Sequence, residues 1–453
     1  MMNPVELLAS INTHAEEYRS LSDSIWDRPE EAFHEVYASS ELSAFLLKQG
    51  FQIRKGEGRL ETAFAAEYGS GEPVIGFLGE YDALPGLSQK AGLTYRREKE
   101  AGGAGHGCGH HLLGVGAAAA AVAVKEYLEQ KGVSGTVRFY GCPAEESGGG
   151  KEIMAQAGWF SGLDVCFTWH PASENCVISR PYLANIIMSF DFRGRSAHAA
   201  AAPEQGRSAL DACELMNIGV NYLREHVPPD VRIHYAYADC GGSSPNTVPE
   251  KAGLLYYVRA GKAADAKKTA ERIKKIARGA ALMTETRLLS HVISEMYDYM
   301  PNHTLGRLAD ASFREAGAPG FTAEDMEAAA AFQLSTDGRP ALSEEISAYK
   351  PSDACLPVSS DVGNVSYLTP TAQIYTCCYA QGTQYHTWQM AAQGKQAAAH
   401  KGMLKAAEVL ALSAVRILED PAYLQKAKKE WADAGICHPA EKNTDFLSVG
   451  RNS

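Results

Sequence analysis

The run His106-Gly107-Cys108-Gly109-His110-His111 sets one thiol among three imidazoles with only glycine between them. Side chains two residues apart diverge on a helix but can converge from a tight loop, and glycine supplies the backbone freedom such a loop needs. A metal-binding turn is the first reading. Three further segments place possible ligands just after an apolar run or just before a helical one: Glu145-Glu146 in "GCPAEESGGG", His170 in "TWHP" and His386 in "QYHTW". Thiolate and imidazole suit a borderline-soft divalent ion, and a carboxylate completes a hydrolytic set. Singly, each has a plainer reading: His170 as a satisfied histidine before proline, Glu145-Glu146 as a solvated loop pair, Cys108 as a small buried hydrophobe. Their joint occurrence at successive strand ends favours chemistry.

The elements that must position these residues can be read from periodicity. Up to about residue 180 the chain alternates amphipathic helices with short apolar strands: "PVIGFLGEYDALPG" reads as strand then turn, "HLLGVGAAAAAVAVKEYLEQKG" as helix, "TVRFYGCPAEE" and "DVCFTWHP" as strands. Alternation of this kind predicts an α/β layer, a mixed and largely parallel sheet with helices on both faces, with polar residues gathered beyond the carboxyl ends of its strands. The pattern changes near Leu183 to strand, helix, strand, strand, helix, strand, which predicts an inserted α+β, ferredoxin-like domain. The expected division is therefore 1–183, first part of the catalytic domain; 184–301, the insertion; 302–453, the second part, ending in a strand, a loop and one long closing helix. Residues 303–358 carry no motif.

Composition narrows the classes. A chain of 453 residues, 45% hydrophobic and 21% charged, buries a large core. The net charge of −11 and the lack of a basic, aromatic-laced stripe argue against nucleic acid. The opening segment is polar and amphipathic, and no apolar run of membrane-spanning length stands out, so a cytoplasmic protein with no membrane partner is expected. Ten cysteines scattered without a CxxC argue against a disulfide framework.

Taken in order, "GEYDALPG", "GHGCGHH", "GCPAEESGGG", "TWHP", "GRSAHAAAAPEQGRSALDA", "NTVPEKAGLLYYVRA" and "GTQYHTWQ" resemble the motifs of the M20 metallopeptidases, in particular their amidohydrolase branch and the group within it that hydrolyses aminobenzoyl-glutamate. The resemblance covers nearly the whole chain. It implies a centre of two divalent ions, zinc or manganese, with Cys108 bridging them and His110, Glu146, His170 and His386 as the other ligands. It implies that Glu145 is the general base and that Asp82 orients a ligand from behind, although from local sequence Asp82 reads equally well as a turn aspartate before Pro85. It makes the insertion a lid and dimerisation domain, whose His198 reaches across a dimer interface to steady the oxyanion. It gives Asn246 and Arg259 the substrate carboxylate, whereas a lone strand arginine is more often a surface charge. Arg207 also matches in place, but packing at a helix start suits it better.

Two departures bear on the metal: His111 stands where many branch members have Asp, and Glu80 where peptidase relatives have His. The implied reaction is release of an amino acid from an N-acyl or N-aroyl group, with p-aminobenzoyl-glutamate giving p-aminobenzoate and glutamate. The implied partners are a small substrate with a free carboxylate and a second copy of the chain, or a related A-type subunit in a heteromer. Alternative readings are an aminoacylase or dipeptidase acting on other N-acylated amino acids, and a non-catalytic member of a heteromeric hydrolase. A single-zinc structural or redox protein would show closed coordination by cysteines and histidines. The Glu145-Glu146 pair does not fit it.

Overall fold

The computed structural model describes residues 4–333 and 338–435. Residues 1–3, 334–337 and 436–453, which belong to the two catalytic stretches expected from sequence, lie outside the described residues. The strands among the described residues are β1 (Gln52–Lys55), β2 (Phe64–Ser70), β3 (Val74–Glu80), β4 (Gly135–Cys142), β5 (Val165–Ala172), β6 (Cys176–Val177), β7 (Ala184–Arg193), β8 (Arg232–Asp239), β9 (Lys251–Ala260), β10 (Arg287–Met296) and β11 (Thr371–Cys377). They fall into two compact units, one formed from the described parts of 1–180, 300–352 and 365–453, the other from Pro181–Tyr299 with Asp353–Asn364.

The first unit is an α/β fold on a seven-stranded mixed sheet of order β1-β2-β4-β3-β5-β11-β6. Strands β4, β3, β5 and β11 run parallel, flanked by antiparallel strands. The parallel strands are buried almost throughout, which is why they read as unbroken apolar runs rather than alternating ones. Helix His110–Lys131 is long and apolar enough to cross a membrane by length and composition, which the apolar pattern of the sequence did not single out, but 89% of its most apolar stretch is buried inside this unit. It serves as a core helix. Its small residues allow close packing: a Cβ on Gly114 would stand 2.6 Å from the carbonyl oxygen of Glu80, so glycine lets the start of the helix rest on the carboxyl end of β3.

The expected single closing helix is two helices, Trp388–Gln393 and Ala397–Glu419, with a break at Gly394-Lys395-Gln396. Thr387 caps the first by accepting from the Met390 amide. A further helix, Pro421–Asp433, starts where proline has no amide hydrogen to continue the previous one, with Asp420 as its cap.

The second unit is a four-stranded antiparallel sheet of order β10-β7-β9-β8 with helices Ala209–Leu223 and Ala263–Thr284, the β-α-β-β-α-β arrangement. Along Ala263–Thr284 the buried positions Ala266, Ala270, Ile273, Ala277 and Ala281 recur at helical spacing and form one packed face. Residues 353–364 join this unit although they are far from it in sequence. Backbone bonds from Leu356 to Pro181 and from Leu183 to Val358, both 2.8 Å, hold them there, and Asn364 bonds the backbone of Glu295 and Tyr297.

Candidate metal centre

The first unit gathers its chemical groups at the carboxyl ends of the parallel strands, where backbone amides and helix starts converge and apolar packing stops. Strand β3 ends at Glu80 with Asp82 just beyond, β4 is followed by Glu145 and Glu146, β5 carries His170, and the loop after β11 carries His386. Cys108 and His110 enter from the turn that starts the core helix. Gly109 makes that turn possible: its φ is +83°, and a Cβ there would meet the Tyr379 hydroxyl at 2.4 Å. Two other left-handed residues that are not glycine adjoin the ligands, Ala144 (φ 56°) and His386 itself (φ 60°). Such conformations cost free energy and persist where the surroundings enforce them. Here the Ala144 amide donates to Glu35 at 2.8 Å and the His386 amide to the Gly107 carbonyl at 2.8 Å.

Two sets of donor atoms share one sulfur. Cys108, His110 and His170 form one, and Cys108, Glu146 and His386 the other, with the ligand atoms of each set within 4.8 Å of one another. Cys108 Sγ lies 3.4 Å from His170 Nε2, and Glu146 Oε2 lies 3.2 Å from His386 Nε2. The sequence-derived ligands Cys108, His110, Glu146, His170 and His386 are thus brought together. Glu145, half-buried, falls with Glu80 and His110 in a third set of the same spacing.

Protonation follows from the partners. His170 Nδ1 donates to the Pro171 carbonyl at 2.9 Å, and burial with the nearby His110 charge pushes its pKa down to about 4, so Nε2 presents a lone pair. His110 Nδ1 bonds Asp82 Oδ1 at 2.8 Å. Burial opposes charge on His110, but Cys108 and Asp82 override it and hold its pKa well above the usual range. Burial pushes the Cys108 thiol up as well, so a nearby cation is needed to draw out the thiolate. Asp82 accepts from the Glu146 amide at 2.9 Å with its other oxygen, so this one buried carboxylate fixes both a ligand ring and the carboxylate loop.

The donor set fits a metal on a direct observation: among the described residues, His110 Nε2 and Glu146 Oε1 are buried polar atoms without a hydrogen-bond partner. Leaving such atoms unpaired costs roughly 1–3 kcal/mol each. Sulfur, imidazole and carboxylate are also the donor types that divalent zinc or manganese accepts.

Sequence reasoning noted Glu80 and His111 only as departures and missed the supports Lys151 and Glu35. Glu80 is buried and paired with Lys151 Nζ at 2.7 Å. Glu35 is pushed up to about 7 by burial and by the Asp82 charge, and accepts from the amides of Phe33 and Ala144 and the Thr62 hydroxyl. His106 and His111 are buried with centroids 4.8 Å apart, and His111 Nε2 bonds the Gly394 carbonyl at 3.0 Å. His111 therefore anchors the turn that carries Cys108 and His110 and stands outside both donor sets.

The remaining sequence-derived residues lie in the second unit. His198 pairs with Thr247 across an isolated bridge, and its Nδ1 accepts from the amides of Ala200 and Ala201 at 3.2 and 3.1 Å. In neutral His198 the proton therefore sits on Nε2, 3.4 Å from the Asn246 amide nitrogen, which has no lone pair to accept it. Arg259, on β9, is half-buried, donates to the Ser359 hydroxyl at 2.8 Å and has no carboxylate partner among the described residues. Arg207 is spent on Glu285 at 2.8 Å and on backbone carbonyls, a packing arrangement.

Paired carboxylates beside sulfur and imidazole donors, at the strand ends of an α/β sheet, define the chain as a hydrolase of the metal-using class. It belongs to the Peptidase family M20/M25/M40, whose family model matches residues 76–348. The chain is 41% identical over 447 residues to the B-type subunit of p-aminobenzoyl-glutamate hydrolase of Escherichia coli (strain K12), covering 93% of each. It is 31% identical over 439 residues to Xaa-Arg dipeptidase of Mus musculus, covering 93% of this chain and 90% of that one. The crystal structure of aminobenzoyl-glutamate utilization protein from Klebsiella pneumoniae shares the fold, with a TM-score of 0.59 at 17% identity over 90% of this chain and 97% of that one.

Proposed function

We propose that this hydrolase cleaves the amide bond of N-acyl or N-aroyl amino acids at a two-metal centre, with p-aminobenzoyl-glutamate as its substrate. One observation carries the reading: two donor sets meet on Cys108 Sγ, and the carboxylate of Glu145 stands beside them as a member of neither. Bound there, two divalent zinc or manganese ions supply Lewis acidity, acidifying water and polarising the scissile carbonyl. Cys108, His110, Glu146, His170 and His386 hold them. Glu145 takes the proton of the attacking water on a carboxylate oxygen and passes it to the leaving nitrogen, since an amide leaves only when its nitrogen is protonated. His198 offers its unspent Nε2 hydrogen to the oxyanion, acting from the second unit as a lid and from a second copy of the chain. Arg259, with no carboxylate partner among the described residues, takes the carboxylate of the departing amino acid with a bidentate fork, and Asn246 assists it.

The relative with the highest identity quoted above acts, by its name, on p-aminobenzoyl-glutamate and is one of two subunit types. That supports the aroyl-glutamate substrate and also a heteromer with a related A-type subunit. A second reading, dipeptidase activity, is favoured by the 31% identity to Xaa-Arg dipeptidase. Assay of the zinc- and manganese-loaded chain against p-aminobenzoyl-glutamate, N-acetyl amino acids and Xaa-Arg dipeptides separates them. Glutamate release from p-aminobenzoyl-glutamate is expected, with kcat/KM at least about tenfold above the other substrates, a gap of about 1.4 kcal/mol. Preference for dipeptides would install the second reading. No turnover of any substrate with metal bound would make the chain a non-catalytic member of a heteromer.

A further inference from the structure

Glu80 and Lys151 are unused by the reaction as described, yet they form a buried ion pair at its edge. Lys151 Nζ lies 2.7 Å from Glu80 Oε1, with side-chain exposures of 0% and 3%. A buried ion pair seldom repays its own desolvation, so its position calls for a reason beyond stability. The reason lies at the other oxygen. Glu80 Oε2 is 3.2 Å from His110 Nε2 without forming a hydrogen bond, and that nitrogen is one of the buried atoms left without a hydrogen-bond partner. Asp82 already takes Nδ1 of the same ring at 2.8 Å, the arrangement that presents Nε2 as a lone pair to a metal. The two atoms are placed so that one cation between them is held by both, and Glu80 and His110 fall in one donor set with their ligand atoms within 4.8 Å. Two donors at ~2.1 Å from one ion, subtending roughly 100°, stand about 3.2 Å apart.

Resting on the two-metal reading above, we infer that Glu80 Oε2 is a sixth protein donor of the centre, binding the ion that His110 holds, and that Lys151 is the positioning residue that fixes Glu80 by its other oxygen. The carboxylate at the end of β3 then anchors one ion directly. Lys151 locks its rotamer and limits the negative charge that Asp82, Glu145, Glu146 and Glu80 concentrate in one place. The turn after β4 supplies this lysine at the start of helix Gly150–Gln156, within reach of β3 because β3 and β4 pair in parallel with Glu80 beside Cys142.

Metal binding tests this apart from activity. Wild type, Glu80→Gln, Lys151→Met and the double variant Glu80→Gln/Lys151→Met are stripped with chelator and titrated with zinc and with cobalt, the cobalt visible spectrum being recorded. Wild type is expected to take two ions. Glu80→Gln and the double variant are expected to hold one of them at least about tenfold more weakly and to show an altered cobalt spectrum. Lys151→Met is expected to keep two ions with a smaller loss of affinity. The double variant removes both charges together, so it folds even if Glu80→Gln alone leaves Lys151 uncompensated and does not. Two ions bound with unchanged affinity and spectrum in the double variant would overturn the inference, leaving a pair that serves folding alone. Fewer than two ions in wild type would instead overturn the two-metal reading on which it rests.

Discussion

Glu145→Gln is expected to lower turnover by roughly 10²–10⁴-fold while leaving two ions per chain bound, the range a positioned general base contributes. The substitution keeps the size of the side chain and removes only its ability to take a proton. Cys108, His110, Glu146, His170 and His386, which make up the two sets sharing sulfur, are untouched by it. The neighbouring change, Glu146→Gln, should behave differently, because Glu146 Oε2 faces His386 at 3.2 Å and its Oε1 is the buried atom without a partner. It is expected to lose metal first and activity as a consequence. Turnover and metal content measured on the same preparations separate the two carboxylates. Near-normal turnover in Glu145→Gln would remove it from the role of base.

Cys108→Ala is expected to lower metal content from two ions to at most one per chain and to take hydrolysis below detection, because its sulfur is the one atom common to both sets. The chelator-treated variant should be nearly as stable as chelator-treated wild type. The side chain is small and buried, so truncation costs about what removing one small buried group costs, ~1 kcal/mol. The difference should open only when metal is added. An ion present at a hundred times its Kd stabilises the folded chain by about 2.7 kcal/mol, and the variant should forfeit that gain for each ion it no longer holds. Thermal melts with and without zinc measure this directly. Equal metal-induced stabilisation in the two proteins would make Cys108 an ordinary buried thiol.

How much of this was legible in the sequence depends on how local each feature is. The donor groups Cys108, His110, Glu146, His170 and His386, which the structure brings together, were legible because each follows an apolar strand or opens a helix, and strand ends of one parallel sheet come together by construction. Gly109 was legible for a similar reason: a donor, a glycine and a donor make sense only as a turn. Lys151 and Glu80 were not legible as a pair, since the 2.7 Å contact depends on the register of β3 against β4. Glu35 was invisible too, because its partners Thr62 and Ala144 are far away in sequence. The closing helix was read as continuous because its apolar period runs through Gly394, and periodicity does not register a local break. The placement of 353–364 with the second unit rests on backbone bonds to Pro181 and Leu183, which no pattern of side chains announces.

If one thiolate joins two ions in this site, anomalous diffraction from a crystal of the zinc-loaded protein shows it. Two peaks are expected, each about 2.3 Å from Cys108 Sγ, one also bonded to His110 or His170 and the other to Glu146 or His386. A single peak, or two peaks of which only one touches the sulfur, would contradict it.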